Sequence, residues 1–326
     1  MIKRILSFSK GDSMSHEVNM EKAIEENLGI MWIDIIDPKI EELNLLQRLF
    51  QFHPLTIEDC LEANQRPKLE DYTDYLFIIL VGVRKKPEEE EEELEPYQIA
   101  IYLKENFVIT VREKRGGMSL KTVHNKILLK NTRILNQRAA FLTYSIIDTF
   151  IDGYLELLEE IEDEIEEMEE IVVHKPKRDL LDRTFDLRTY ILIIIKAIRP
   201  QRAVLRSLSI EDSNLISSLA QPYFSDVYDH ILEANDLSAT YRERLSSIVE
   251  VYLSSASNKM NDTMRLIAVL TAVITIPNLL ASIGGVNFRD FSENPEIFLQ
   301  APFWIFIASI IIITIIIVLI IRRMEL

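Results

Sequence analysis

A row of neutral polar side chains lies in an apolar stretch near the carboxyl end of the sequence. The 18 residues from Leu266 to Ile283 carry no charge, and as a helix they would be roughly 27 Å long, close to the ~30 Å of a bilayer hydrocarbon core. Polar residues on one face of this helix are Asn261, Thr271, Thr275, Asn278 and Ser282, with Met264 and Ala268 filling the gap. Their oxygens can bond neighbouring helices or line a water-filled path for a cation, and spacing alone leaves both open.

The composition of the chain argues against several classes of function. Its 326 residues include 52 acidic and 36 basic side chains, which gives a formal net charge of −16. A charge of this sign disfavours nucleic acid as a partner and favours the attraction of cations. The single cysteine, Cys60, excludes an intrachain disulfide and a cysteine-rich metal site. We find no nucleophile elbow, phosphate-binding glycine loop or metal-ligand triad, so the sequence predicts no enzyme.

A second apolar stretch, Phe303–Ile321, contains only two hydroxyl side chains and no polar face, so we expect it on the lipid side of the first. Basic residues flank the two stretches and acidic residues dominate the loop between them: Lys259, Arg265, Arg322 and Arg323, against Asp290, Glu293 and Glu296 with Arg289. The positive-inside rule then predicts a multi-pass protein of the cell membrane with both termini in the cytoplasm. Two spans cannot enclose a pore, so conduction requires several copies of the chain.

The first third of the chain has the patterns of a small α/β domain. Alternating or β-branched runs predict strands at 2–8, 30–36, 75–83, 97–103 and 107–112. Helical spacing of apolar residues predicts two helices among them, at 39–50 and 54–63. The mixed order of strands and helices is typical of an α/β domain, which we assign to residues 1–118.

Helical periodicity continues from Ser119 to the end. Segments 141–173 and 177–208 predict an antiparallel hairpin within a cytoplasmic region 119–221. A stalk helix is expected over 222–285, where it becomes the first transmembrane helix, followed by an outer loop 286–301, a second transmembrane helix 302–321 and a basic tail 322–326. Two acidic runs, Glu88–Glu93 and Glu156–Glu170, are interpreted as solvated segments without an assigned role.

Several short motifs, in this order and with the two terminal spans, resemble the CorA metal-ion transporters, the two-transmembrane family marked by Gly-x-Asn after its first span. The matching segments are Trp32–Asp34, His53–Asp59, Arg66–Lys68, Tyr75–Phe77, Pro222–His230, Tyr252–Ser255, Ser257–Asn261, Pro277 and Gly285–Phe288. The resemblance covers nearly the whole chain.

The resemblance implies an α+β/α membrane protein, a funnel-shaped homopentamer with a cytoplasmic α/β domain, long stalk helices and two transmembrane helices per chain. It implies passive influx of Mg²⁺, with Co²⁺ and Ni²⁺ as companions. The implied pore and selectivity residues are Asn261, Met264, Thr271, Thr275, Asn278, Gly285, Val286 and Asn287, and Glu296 resembles the acidic residue of the outer loop.

The resemblance also implies that Mg²⁺ is a regulator, bound between the cytoplasmic domains of neighbouring subunits. By motif match the carboxylates are Asp59 and Asp226, with Glu58 and Asp148 nearby. Carboxylates from two subunits repel each other, so a bridging Mg²⁺ would hold the funnel closed and its loss would let the subunits splay.

One departure from the family pattern leaves alternatives open. The signature most often reads Gly-Met-Asn after a tyrosine, whereas here Gly284 precedes Gly285-Val286-Asn287. Because the middle residue differs, the transported metal could instead be Zn²⁺, or Co²⁺ and Ni²⁺, with or without proton coupling. A third hypothesis is a non-conducting, membrane-anchored cation sensor, in which the polar face only bonds helices together.

Overall fold

The computed structural model describes residues 2–8, 30–62, 65–86, 93–113, 123, 139–174, 177–210, 214–286 and 301–324. The predicted site residues Asn287 and Glu296 lie outside these ranges, as do residues 287–300 of the outer loop and five of the six glutamates of the first acidic run. The chain divides into two compact units, Met1–Val249 and Glu250–Leu326.

A six-stranded sheet forms the centre of the first unit. Its strands are β1 Ile2–Phe8, β2 Ile30–Ile36, β3 Lys68–Asp71, β4 Leu76–Lys85, β5 Leu94–Leu103 and β6 Phe107–Arg112. They are ordered β1-β2-β6-β5-β4-β3, with β2 and β6 parallel and all other neighbours antiparallel. Sequence patterns predict five of these strands. They miss β3 because its four residues, Lys-Leu-Glu-Asp, contain one apolar side chain and no alternation.

Two short helices, α1 Ile40–Phe50 and α2 Pro54–Leu61, cover one face of the sheet. At the start of α1 the Lys39 N–H donates to Glu42 Oε2 at 2.9 Å, and at the start of α2 the Leu55 N–H donates to His53 Nδ1 at 3.3 Å. Both bonds satisfy backbone donors that a first helical turn leaves open. Helices and sheet share one buried cluster: Met31, Ile33, Ile35, Leu43, Leu46, Phe50, Phe52, Ile57, Tyr75, Phe77, Ile79, Ala100, Tyr102, Ile109 and Val111.

A buried ion pair joins the two parallel strands on the other face. Arg112 donates from Nη2 to Asp34 Oδ2 at 2.8 Å and from Nε to Oδ1 at 3.0 Å. Thr110 Oγ1 donates to the same carboxylate at 2.8 Å and accepts from Trp32 Nε1 at 3.0 Å. Because each charged group has several partners, the pair can be buried without an unsatisfied charge, and it fixes the position of β6 beside β2.

Two long helices, α3 Ala139–His174 and α4 Arg178–Ile210, pack on this second face and make the domain three-layered. They complete the backbone bonding of Val81 in β4, which lies beyond the end of the shorter β3. The Gln201 amide donates to the Val81 carbonyl at 2.9 Å and accepts from its N–H at 3.3 Å, and the Tyr154 hydroxyl also donates to that carbonyl. A side chain of α4 therefore replaces the strand that is absent from this part of the edge.

The helices α3 and α4 form the antiparallel hairpin that the sequence predicts. Tyr154 and Gln201 meet at the sheet, and Glu164 and Arg183 form a two-bond ion pair closer to the tip, at 2.7 and 2.8 Å. Residue numbers therefore rise along one helix as they fall along the other.

A single helix, α5 Gln221–Val286, extends over 66 residues. It is longer than the about 55 residues that the interval between Pro222 and Pro277 predicts, because the helix continues through Pro277. The predicted apolar face of its first half is buried in the first unit: Val227, Ile231, Ala234, Ser238, Tyr241, Leu245 and Ile248. The α/β domain and the long helix are thus confirmed.

The second unit contains the rest of α5 and α6 Ala301–Met324. Among the residues that the structure describes, α5 is the one helix long and apolar enough to cross a membrane; an 18-residue window of it has a mean hydropathy of 1.9 and is nowhere buried within the chain. The described part of α6 contains a shorter apolar segment, Ile307–Ile316. Apolar side chains exposed over such a length require a non-aqueous environment or partner helices.

We expect Gln201→Ala to destabilise the first unit by about 2 kcal/mol, because Gln201 is fully buried and its loss leaves the Val81 N–H without its partner. Calorimetric unfolding of the full chain in detergent measures the change. Lys196→Ala, at an exposed position of the same helix, is the matched control and should change stability by less than about 0.5 kcal/mol. Equal effects of the two substitutions would contradict the role assigned to Gln201.

Candidate cation-binding sites

Two carboxylates of α3 and one histidine of α5 form a compact group, the α3–α5 cluster. The potential ligand atoms of Asp148, Asp152 and His230 all lie within 4.8 Å of one another. His230 Nδ1 is 3.5 Å from Asp148 Oδ1 and 3.7 Å from Asp152 Oδ1. Asp148 and Asp152 share a face of α3 because they are one turn apart. Helix α5 packs beside α3 and contributes the imidazole nitrogen of His230.

The predicted ligand Asp226 lies one turn before His230 on α5 and contributes to the same electrostatic environment. Burial is the main cause that raises the pKa of Tyr144, and the negative charges of Asp148, Asp226 and Asp152 raise it further. Tyr144 therefore has carboxylates of both helices near it. Like charges held this close favour the uptake of a cation.

The ligand types of the α3–α5 cluster suit more than one metal. Carboxylate oxygens suit Mg²⁺, which requires oxygen ligands and retains several waters. An imidazole nitrogen is a better ligand for Co²⁺, Ni²⁺ or Zn²⁺ than for Mg²⁺. The sequence interpretation includes Asp148 and Asp226 but not Asp152 and His230. Asp152 follows Asp148 by four residues, and His230 follows Asp226 by four. This helical spacing is the sequence signal that indicates Asp152 and His230 as further ligands.

The other two predicted regulatory carboxylates lie on α2. Glu58 is exposed, and the Asp59 side chain is 15% exposed. Lys68 at the start of β3 donates to Asp59 Oδ2 at 2.7 Å and to Glu70 Oε1 at 2.8 Å. Burial alone would lower the pKa of Lys68, but its hydrogen bonds with Asp59 and Glu70 outweigh burial and raise the pKa. Asp59 is thus already paired with a cation of its own chain.

The structure does not bring all four predicted regulatory carboxylates together within one chain. Helix α2 covers one face of the sheet, whereas α3 packs on the other. Asp59 is bonded to Lys68, and Asp148 lies beside His230. A cation site that uses both groups would therefore need a second copy of the chain.

The polar face of α5 is present as one continuous helical stripe. Asn261, Met264, Thr271, Thr275 and Asn278 are all exposed within the single chain. The Thr271 hydroxyl donates to the Ile267 carbonyl at 2.8 Å, which satisfies its hydrogen within the helix and leaves oxygen lone pairs to face outward. The backbone of Gly285 and Val286 forms the end of α5.

The second acidic run is a solvated face only in part, and that interpretation needs correction. Arg244 of α5 donates to both carboxylate oxygens of Glu169 at 3.0 and 2.9 Å and to Glu162 at 3.2 Å. The Arg244 hydrogen bonds lower the pKa of Glu169 below its usual range despite some burial. Tyr241 also donates to Glu162, at 2.8 Å. These acids attach α3 to α5, a role that sequence periodicity could not show because the partner is remote in sequence.

The sequence matches a protein-family model described as "CorA-like Mg2+ transporter protein" over residues 27–323. Two relatives are each named "Cobalt/magnesium transport protein CorA". The one from Thermotoga maritima is 36% identical over 265 residues, covering 80% of this chain and 74% of the relative. The one from Methanocaldococcus jannaschii is 28% identical and covers 98% of both. A solved structure, the complete CorA magnesium transporter of M. jannaschii, superposes with a TM-score of 0.81 at 27% identity and covers 99% of this chain and 98% of that one.

We expect His230→Ala to weaken Co²⁺ and Ni²⁺ binding by about tenfold and Mg²⁺ binding much less, because the substitution removes the one nitrogen ligand of the cluster. Calorimetric titration of the full chain in detergent, with the absorption spectrum of bound Co²⁺, measures both. His53→Ala, at the residue that precedes α2 and lies outside the cluster, is the control. Co²⁺ affinity that is equal in both variants would contradict a cation site at this cluster.

Proposed function

The chain belongs to the CorA-like Mg²⁺ transporter family, and from that membership we propose that it mediates passive influx of Mg²⁺ across the cell membrane, with Co²⁺ and Ni²⁺ as further cations. The observation that carries the proposal is the extent of the family match, residues 27–323, which includes the α/β domain apart from β1, all of α5 and nearly all of α6. The family consists of ion transporters, which agrees with the prediction that the protein is not an enzyme.

The proposed path follows the polar stripe of α5 in a homopentamer embedded in a lipid bilayer. Five copies of the stripe would enclose a pore, which the two membrane helices of one chain cannot do. The residues that face inward would be Asn261, Met264, Thr271, Thr275 and Asn278. Mg²⁺ loses its water reluctantly, so neutral oxygens that bond its hydration shell suit it better than a carboxylate cage. Met264 would provide an apolar constriction. The exposure of the whole stripe within the single chain supports this assignment.

The outer mouth of the proposed path is Gly285-Val286-Asn287, with Glu296 in the loop 286–301 outside the cell. Residues 1–118 and 119–221 would form the cytoplasmic part, and residues 222–285 and 302–321 would reach and cross the membrane, with 322–326 as a cytoplasmic tail. The Asn287 amide would hold a hydrated cation through hydrogen bonds to the water molecules around the ion. The oxygens of the stripe would bind the ion in the same way.

Regulation is proposed to use Mg²⁺ bound between neighbouring cytoplasmic domains. Asp59 and Glu58 of one chain would meet Asp226 and Asp148 of the next. The separation of these pairs on opposite sides of one domain supports a site shared by two chains. Bridging by Mg²⁺ would hold the domains together, and its loss would release them and open the path.

A second candidate function, transport of Zn²⁺ or of Co²⁺ and Ni²⁺ in preference to Mg²⁺, has one observation in its favour. His230 adds a nitrogen ligand to the α3–α5 cluster, and nitrogen favours these metals. That cluster lies in the regulatory part of the proposal rather than on the stripe, so it bears on sensing more than on passage. Membership of a transporter family leaves the non-conducting sensor without support.

We expect Thr271→Val to reduce Mg²⁺ uptake severalfold, because it removes an oxygen from the proposed path. Uptake is measured in proteoliposomes that contain a Mg²⁺-sensitive dye, with Co²⁺, Ni²⁺ and Zn²⁺ as competitors. Thr314→Val on α6 is the matched control, because both threonines donate to the carbonyl one turn back, at 2.8 and 2.7 Å. Equal uptake by the two variants would remove Thr271 from the path. An absence of Mg²⁺ uptake by the unmodified chain, with Zn²⁺ entering, would favour the second candidate.

A further inference from the structure

The Lys68 ammonium is already in contact with the carboxylate of Asp59, a proposed regulatory ligand. Lys68 Nζ lies 2.7 Å from Asp59 Oδ2, and the two side chains are 29% and 15% exposed. A carboxylate in contact with an ammonium is already neutralised, so it attracts a further cation less strongly. Mg²⁺ that reaches Asp59 must therefore displace Lys68 or share the carboxylate with a like charge.

The surroundings of Lys68 hold it between two carboxylates. Lys68 is the first residue of β3, and its pairing with Ile79 of β4 fixes its backbone. Its ammonium also lies 2.8 Å from Glu70 Oε1 and 5.7 Å from the centre of the Phe77 ring. The Tyr72 hydroxyl donates to the other oxygen of Glu70 at 2.9 Å, which orients that carboxylate.

In this arrangement the Lys68 ammonium remains paired with Glu70 after it leaves Asp59. Glu70 is the more exposed of the two carboxylates, at 36% against 15% for Asp59. If Lys68 moves away from Asp59, it keeps its bond with Glu70, so displacement does not leave a bare charge near the apolar sheet. Lysine suits such an exchange because its ammonium is a compact charge on a flexible stem.

We propose that Lys68 is an internal competitor of Mg²⁺ at Asp59 and sets the Mg²⁺ concentration at which the cytoplasmic sites close the transporter. The inference rests on the proposed function, since it takes Asp59 to be a regulatory ligand. When Mg²⁺ binds, the ammonium releases Asp59 and keeps its bond with Glu70; when Mg²⁺ leaves, Lys68 returns and neutralises Asp59. Lys68 is thus a positioning residue that tunes the site without contacting the transported ion.

The test uses the full chain in planar bilayers, where each side can be perfused. Current carried by Mg²⁺ from the outer side is recorded while Mg²⁺ on the domain side is stepped, which gives a half-inhibitory concentration. Lys68→Met should lower this concentration by about three- to tenfold, because the competing charge is gone. Lys68→Arg keeps the charge and should stay near the unmodified chain. Glu70→Gln should raise the half-inhibitory concentration. Of its two carboxylate partners Lys68 then keeps Asp59 alone, so Mg²⁺ displaces it less easily.

Opposite shifts for Lys68→Met and Glu70→Gln separate competition from mere loosening of the domain, because each substitution breaks the same Lys68–Glu70 bond. Lys86→Met is the matched control, since Lys86 forms a 2.6 Å ion pair with Glu93 away from α2. If Lys68→Met behaves like Lys86→Met, or if both Lys68 and Glu70 variants shift in one direction, the inference is overturned.

Asp59→Asn separates a failure of this inference from a failure of the proposed regulation. If Asp59→Asn leaves inhibition by Mg²⁺ unchanged, the regulatory role of Asp59 is wrong and the role of Lys68 falls with it. If Asp59→Asn weakens inhibition while Lys68→Met does not shift it, the regulatory site stands and only the competitor is refuted. In the double variant of both residues, Lys68→Met should add no shift to that of Asp59→Asn.

Discussion

An excess of negative charge is the constraint on which the rest of the structure depends. With 52 acidic and 36 basic side chains, the fold places its cations where carboxylates must be held close. Arg112 neutralises the buried Asp34 between parallel strands, Arg183 joins the two helices of the hairpin, and Arg244 attaches α3 to α5. At the α3–α5 cluster the nearby nitrogen instead belongs to a histidine, a side chain that can also ligate a metal. The acids of these structural ion pairs thus have arginine partners, whereas those of the α3–α5 cluster lie beside a histidine.

The two sets of proposed regulatory carboxylates differ in the same respect. Asp59 is neutralised by a lysine of its own chain, whereas Asp148 and Asp226 lie near further acids and His230. A cation shared by two chains would meet a carboxylate partly neutralised by Lys68 on one side and a group of acids with a histidine on the other. Affinity would come mainly from the α3–α5 side, and the response range would be adjusted on the α2 side. This difference between the α2 side and the α3–α5 side would come from the charges near the carboxylates and does not require different metal ligands.

The sequence predicts the elements of this fold better than the contacts between them. Alternation and helical spacing are local signals, and they locate five strands and all the described long helices. The four residues of β3 carry no such signal, although their Lys68 forms the ion pair with Asp59. The family resemblance points to Asp59 and Asp148, but the contacts that Lys68 and His230 make with them are visible only when β3 lies beside α2 and α5 beside α3. The contacts of Arg244 with Glu162 and Glu169 are likewise not visible in the sequence. The acidic run Glu156–Glu170 therefore has the pattern of a solvated face.

The uninterrupted length of α5 has a mechanical consequence. A helix of 66 residues is held by backbone hydrogen bonds that join each turn to the next. The weakest point of such a rod is where a backbone bond is missing, and Pro277 removes one inside the apolar part. Bending of this apolar part would therefore be concentrated at Pro277, within a turn of Asn278.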